Sequence, residues 1–167
     1  TEDHFQNMNK GGLDCAPVAG MTLANYWASR LEAARPLMMD RTSDMQAALG
    51  LAMDCNDVNP ALNSKDDLGH FGTKVRDIGP GLLAYAVDRL GGGGGAYRSR
   101  TIAFTEADFR KEIDAGRPMI VTFTKKSAPI GHAVMAFGYE LEDGKVTFLI
   151  VADSQTAEGP AIGKIRV

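Results

Sequence analysis

The fold class is predicted from residues 131–153, GHAVMAFGYELEDGKVTFLIVAD. Its two halves, His132–Glu140 and Lys145–Val151, run apolar or alternate in polarity over the length of a strand. Between them, Glu142–Gly144 has the composition of a hairpin turn, because aspartate and glycine tolerate positive φ. The stretch therefore predicts two antiparallel strands joined by a short turn.

The residues around this hairpin extend the sheet and add one helix. Met119–Thr124 and Ile162–Val167 have the composition of further strands, and Arg98–Phe104 is a short strand candidate. A helix is predicted over Thr105–Ala115, where Thr105 and Asp108 have the spacing of an N-terminal cap. The second half of the chain thus predicts an antiparallel sheet with one accompanying helix.

The first half of the chain has helical periodicity instead. Three helices are predicted: Ala16 to about Ala34, ended by Pro36; one that begins after Ser43; and Gly81–Leu90, ended by the five glycines Gly91–Gly95. Residues 56–80 resemble a loop. We therefore predict an α+β fold in one domain, residues 1–167, with a helical lobe over about 13–95 and a sheet lobe over about 96–167.

Composition and charge exclude several function classes. The chain has 167 residues, 44% of them hydrophobic, and a formal net charge of −3. It lacks the basic clusters of nucleic-acid-binding proteins and an apolar run of the ~20 residues that span a bilayer, so we expect neither nucleic-acid binding nor membrane insertion.

The glycine run Gly91–Gly95 lacks the Lys-Ser/Thr ending of a phosphate loop, and we expect no nucleotide or other cofactor. Because the chain starts at Thr1, we expect a processed product or a piece of a longer protein.

Cys15 is the first residue with the setting of a nucleophile. It lies where the glycine-containing stretch Gly11–Asp14 becomes a helix, and Pro17 suits the first helical turn. At the cap of a helix, unpaired backbone amides favour thiolate, which is the nucleophilic form of cysteine. The backbone N–H of Cys15 is also a candidate donor to an oxyanion. A cysteine at the start of a helix is more often a small core residue. A second residue that activates the thiol is therefore needed to distinguish a nucleophile from a core cysteine.

His132 and Asp153 are the predicted partners. His132 opens an apolar strand after Gly131, and Asp153 ends the strand on the other side of the hairpin. Counted from the turn, the two residues lie at the same end of the sheet. A carboxylate there orients an imidazole for general-base work. Taken singly, Asp153 is equally a turn-forming residue at the end of a strand.

The remaining cysteine and histidines are expected to be inert. Cys55 follows a helix and has acidic neighbours, both of which disfavour thiolate. His4 and His70 have the setting of solvated surface residues. None of these residues has the short paired spacing of a metal site, so no metal is expected.

In combination, these motifs resemble the papain-like cysteine peptidases, in particular a compact bacterial branch with bacteriocin-leader peptidases and some translocated effector proteases. The matching pieces are Asp14–Ala19 leading into a helix that contains Tyr26, then Gly131–Val134 followed by Gly138-Tyr139, then Val151–Asp153. They occur in the family's order of Cys, His and Asp or Asn. The resemblance covers nearly the whole chain and implies a papain-like fold with the site between the two lobes.

The resemblance implies peptide-bond hydrolysis of a protein or peptide substrate by Cys15, His132 and Asp153. The family also uses a glutamine shortly before the cysteine as an oxyanion donor. Its usual spacing falls on Asn9, whereas Gln6 has the matching side chain, and either carboxamide can donate. Ala16 replaces the glycine that many members of the branch carry.

Three other interpretations of these residues are compatible with the sequence. The same residues serve deamidases, transglutaminases and acyltransferases, because one thioester is resolved by water or by an amine. A relative without activity would bind a peptide in the groove between the lobes. A disulfide between Cys15 and Cys55 would indicate a structural role for both.

Overall fold

A computed structural model describes residues 15–55, 72–91, 97–124, 131–153 and 161–167. Helices occupy the N-terminal part of the described chain, and a four-stranded antiparallel sheet occupies the C-terminal part. The predicted α+β fold is confirmed.

Four α-helices and one 3-10 helix are present in the described ranges. They are α1 (Cys15–Arg30), the 3-10 helix (Glu32–Leu37), α2 (Thr42–Ala52), α3 (Val75–Leu90) and α4 (Glu106–Asp114). The first helix is shorter than predicted, because Leu31 adopts an extended conformation, with φ −125° and ψ 119°. Pro36 therefore does not end α1 but lies inside the 3-10 helix.

Helix α3 begins at Val75, six residues before its predicted start at Gly81. The sequence Gly79-Pro80-Gly81 has the composition of a turn, yet the helix runs through it. Both glycines lie where another segment of the chain approaches closely. A Cβ at Gly81 would lie 2.6 Å from the carbonyl oxygen of Ala52, and one at Gly79 would lie 2.7 Å from Oγ of Ser99.

The predicted strand Arg98–Phe104 is wrong. These residues are exposed and join no strand ladder among the described residues. A β-strand needs a hydrogen-bonded neighbour, and β composition alone does not provide one.

The predicted boundaries of α4 are confirmed. Oγ1 of Thr105 accepts a hydrogen bond from the backbone N–H of Asp108 at 3.1 Å, which caps the helix. Gly116 has a φ of +71°, the left-handed conformation that follows many helix ends. The helix thus begins and ends where its capping residues indicate.

The sheet has the order β1-β2-β3-β4, and each neighbouring pair is antiparallel. Its strands are β1 (Met119–Thr124), β2 (Gly131–Glu142), β3 (Lys145–Asp153) and β4 (Ala161–Arg166). Asp143 and Gly144 join β2 to β3 with φ values of 52° and 78°. This two-residue turn confirms the predicted hairpin.

The described core falls into two clusters of buried residues, one on each face of the sheet. The helical core consists of Ala16, Met21, Ala24, Ala34, Leu37, Met45, Leu49, Met53, Ile78, Tyr85 and Ala133. The sheet core consists of Phe109, Val134, Ala136, Val146, Leu149 and Val151. Since Ala133 and Val134 are successive residues of β2, their side chains lie on opposite faces. The helical lobe therefore covers one face of the sheet, and α4 covers the other.

Candidate active site

The hairpin brings His132 and Asp153 into contact at one end of the sheet. His132 is the second residue of β2, and Asp153 is the last residue of β3. Nε2 of His132 lies 2.9 Å from Oδ2 of Asp153. This is hydrogen-bonding distance, and the pairing follows from the short turn that joins the two strands.

The strand register explains why the two side chains meet. Met135 pairs with Ala152, so one step further Asp153 lies opposite Val134. His132 is two residues from Val134 and therefore shares its face of the sheet. Diagonal neighbours on one face lie within reach of long side chains. The contact is thus fixed by backbone pairing rather than by a loop.

The contact with Asp153 selects one tautomer of the imidazole when the carboxylate is ionised. An ionised carboxylate only accepts hydrogen bonds, so Nε2 carries the proton in this contact. In the neutral imidazole, Nδ1 is then the basic nitrogen. The side chains of His132 and Asp153 are 26% and 23% exposed, so the pair is partly shielded but remains open to solvent.

Phe123 is a further neighbour of this pair, and the sequence does not predict it. It is the Cα partner of His132 in the β1–β2 ladder. The two rings are nearly perpendicular, with their centroids 5.5 Å apart and an interplanar angle of 85°. The β propensity of Met119–Thr124 indicates a strand, but the sequence contains no signal for its register against β2.

Cys15 is the first residue of α1. The sequence predicts Cys15 at the cap of this helix, whereas in the structure it lies one position further along, inside the first turn. Pro17 lies in the same turn, as predicted, and the turn contains no acidic residue. Backbone N–H groups in the first turn of a helix lack intrahelical partners and favour a negative charge nearby.

Helix α1, which begins at Cys15, packs on β2, the strand that contains His132. Cys15 is partly buried and packs against the helical core, which includes Ala133, the residue that follows His132. Helix α1 and β2 are in direct contact. The structure thus brings His132 and Asp153 together on the face of the sheet that Val134 shares. Cys15 packs against the helical core on the face that Ala133 shares, so a contact between its sulfur and the imidazole is part of the proposal and not of this geometry. The catalytic roles of the three residues stay predictions.

The other predicted candidates are either buried or lie outside the described residues. Gln6, Asn9, His4 and His70 belong to the latter group, so the choice of oxyanion donor stays a prediction. Cys55 is 1% exposed and follows the end of α2. Both cysteines are thiols, which removes the reading of a disulfide between them. Within the described ranges, no group of three or more His, Cys, Asp or Glu residues has the arrangement of a metal site.

Comparison with known proteins assigns the family. A model of the Peptidase_C39 like family matches residues 14–162. The chain belongs to this family. The match begins at Asp14 and contains Cys15, His132 and Asp153. No curated protein and no solved structure matches the chain.

Membership in the Peptidase_C39 like family agrees with the predicted resemblance to papain-like cysteine peptidases. It supports a function of the cysteine peptidase type, which is a hydrolase function in general terms. None of the helices in the described part of this C39-like chain is long and apolar enough to cross a membrane.

Proposed function

We propose that this chain is a cysteine peptidase that hydrolyses peptide bonds through Cys15, His132 and Asp153. The observation that carries the proposal is the 2.9 Å contact between Nε2 of His132 and Oδ2 of Asp153. This contact leaves Nδ1 of the imidazole as the base for a thiol. Cys15, at the start of the helix that packs on β2, is the candidate thiol.

The acylation step begins with a thiolate–imidazolium pair of Cys15 and His132. The sulfur attacks the carbonyl carbon of the scissile bond and forms a C–S bond. As the tetrahedral intermediate collapses, the C–N bond breaks, and the imidazolium transfers its proton to the leaving amine. Asp153 keeps its hydrogen bond to Nε2 throughout and stabilises the imidazolium.

Water completes the reaction. His132 accepts a proton from a water molecule, whose oxygen attacks the thioester carbon. The C–S bond then breaks, the acid product leaves, and the thiolate–imidazolium pair is restored. The negative oxygen of each tetrahedral intermediate requires hydrogen-bond donors. We assign these to the backbone N–H of Cys15 and to the carboxamide of Gln6 or Asn9.

Alkylation of Cys15 tests the ion pair without a known substrate. The rate of modification by iodoacetamide is measured between pH 5 and 9, with Cys15 and Cys55 resolved by peptide mass spectrometry. A simple thiol has a pKa of about 8.5, so it reacts slowly below about pH 7. We expect Cys15 to react faster than such a thiol in this range, and His132→Ala to abolish the difference. His70→Ala is the matched histidine control. Equal rates for Cys15 and a simple thiol would contradict the proposal.

A peptide library tests the reaction itself. The wild type and Cys15→Ala are incubated with the same library, and the products are identified by mass spectrometry. Cleaved peptides from the wild type alone would support hydrolysis of peptide bonds. A mass shift of about one dalton in uncleaved peptides would indicate deamidation instead. Equal products from both variants would remove Cys15 from the mechanism.

A further inference from the structure

Phe123, the aromatic neighbour of His132, has no role in the reaction proposed above. Phe123 and His132 are paired residues on β1 and β2, and their rings meet at 85° with centroids 5.5 Å apart. Side chains of directly paired residues lie on the same face of the sheet. The phenyl ring therefore lies on the same face as the imidazole and Asp153.

The phenyl ring is itself anchored. Phe123 is partly buried and packs against the sheet core, on the side of Val134. It is the last but one residue of β1, in a ladder in which every residue from Met119 to Thr124 has a partner in β2. A side chain held by both backbone pairing and apolar packing has little freedom to move away from the imidazole.

A single hydrogen bond does not orient an imidazole ring. The contact with Asp153 fixes the position of Nε2, but the ring can still rotate about this point and change the direction of Nδ1. A second contact on the ring removes that freedom. Because the side chain of His132 is 26% exposed, water also has access to the Nε2–H bond unless a neighbour covers it.

We propose that Phe123 is a positioning residue, whose ring fixes the direction of Nδ1 of His132 and shields the hydrogen bond to Asp153 from water. Phe123 does not touch the reacting atoms and acts only through the imidazole. The consequence for catalysis rests on the proposed function, whereas the effect on the imidazole does not. The two are therefore separable by experiment.

The direct test is NMR spectroscopy of the imidazole in the whole chain. The Nε2 proton of His132 is assigned by its loss in His132→Ala, and its exchange with solvent is measured. We expect exchange to be about tenfold faster in Phe123→Leu, together with a broader mixture of ring tautomers in the ¹⁵N spectrum. Phe123→Tyr retains a ring and should restore the wild-type signal. Phe123→Met is a second variant without a ring, in case Phe123→Leu does not fold.

Val121→Ala is the matched control. Val121 lies on the same strand and face as Phe123 and packs against the same sheet core, but its Cα partner is Val134 rather than His132. A purely structural role predicts that Val121→Ala and Phe123→Leu affect the Nε2 proton alike. The positioning role predicts a change in Phe123→Leu alone.

The rate of Cys15 alkylation by iodoacetamide at pH 6 connects the imidazole to the reaction. We expect a reduction on the order of tenfold in Phe123→Leu and a rate near that of the wild type in Phe123→Tyr. In the Asp153→Ala background, Phe123→Leu should have a smaller effect, because there is no hydrogen bond left to shield.

The outcomes separate the two proposals. If the folded ringless variants show unchanged Nε2 proton exchange and tautomer populations, the positioning role of Phe123 is wrong. If Cys15 in the wild type reacts like a simple thiol, the proposed function fails, and the NMR result still decides the role of Phe123.

Discussion

At the scale of single residues, Asp153 is the group whose replacement is most informative, because its charge and its hydrogen bond can be removed separately. Asp153→Ala removes both, whereas Asp153→Asn keeps an oxygen that accepts the Nε2 proton of His132. A hydrogen bond to a charged group contributes about 1.5–3 kcal/mol, which corresponds to roughly 10- to 100-fold in rate. Since the pair is partly exposed, we expect about tenfold slower Cys15 alkylation in Asp153→Ala and a smaller loss in Asp153→Asn. Equal rates in all three proteins would exclude Asp153 from the site.

Tyr85 gives a second prediction at this scale, on stability rather than activity. Its hydroxyl donates to the carbonyl oxygen of Leu37 at 2.5 Å, and its side chain is buried. Tyr85→Phe leaves that carbonyl without this donor, so we expect a loss of about 1 kcal/mol in the free energy of unfolding at pH 8. Tyr26→Phe is the control, because the bond from Tyr26 to the carbonyl of Gly116 is exposed and its loss should cost less.

The stabilisation by Tyr85 also depends on pH. Burial raises the pKa of Tyr85 above 10.0, with opposing smaller effects of Arg89 and Asp88. Because the folded pKa lies above the unfolded value, the contribution of the neutral phenol is fully present below about pH 10 and is lost as the pH rises through the folded pKa. Urea unfolding at pH 8 and about pH 11 should therefore show a smaller difference between the wild type and Tyr85→Phe at the higher pH. A constant difference would contradict this assignment.

At the scale of elements, the glycines of α3 distinguish close packing from turn formation. A Cβ at Gly81 meets atoms at the C-terminal end of α2, namely the carbonyl oxygen of Ala52 and the Cα and Cγ atoms of Met53, the residue that follows the helix, all within 2.7 Å. Overpacking costs about 1–3 kcal/mol, more than the ~1 kcal/mol that alanine gains over glycine in a helix. We expect Gly81→Ala to lower the free energy of unfolding by about 1–2 kcal/mol. Gly79→Ala is the control in the same helix, because it meets first the hydroxyl of Ser99, which can rotate away.

The same glycines show which helices and strands cannot be predicted from local sequence signals alone. Local signals suffice for α4 and for the β2–β3 hairpin, because the cap at Thr105 and the turn at Asp143 involve only neighbouring residues. They fail for α3, where the glycines serve contacts with α2 and with Ser99, which are distant in sequence. They fail again for residues 98–104, because a strand depends on a partner from another part of the chain.

In the candidate site, too, contacts within one hairpin are predictable from the sequence, whereas contacts between segments distant in sequence are not. The contact between His132 and Asp153 is predictable, because both residues belong to one hairpin and a count from the turn places them at the same end. The contact between Phe123 and His132 is not predictable in this way. It depends on the register of β1 against β2, and residues 125–130 between these strands form a connection too long to fix the register as a two-residue hairpin turn does.

At the scale of the whole molecule, the two core clusters meet at the sheet. Ala133 belongs to the helical core and Val134 to the sheet core, so β2 is part of both. The hydroxyl of Tyr26 in α1 also donates to the carbonyl oxygen of Gly116, in the turn after α4, at 2.9 Å. A strand shared by both clusters cannot lose its order on one face and keep it on the other. We therefore expect the chain to unfold as one unit, in line with the predicted single domain.

The one tryptophan of the chain makes this expectation measurable. Trp27 lies in α1 and packs against the helical core, so its fluorescence follows that lobe, whereas far-UV circular dichroism follows helices and strands together. In a single transition, the two thermal midpoints coincide. Phe109→Leu, in the sheet core on the opposite face, should lower both midpoints together by about 2–4 °C. If this variant shifted the circular dichroism midpoint but left the Trp27 midpoint in place, the lobes would unfold separately. The distance between Cys15 and the imidazole would then depend on a contact that opens independently, because the helix that carries the sulfur would no longer be held by the strand that carries His132.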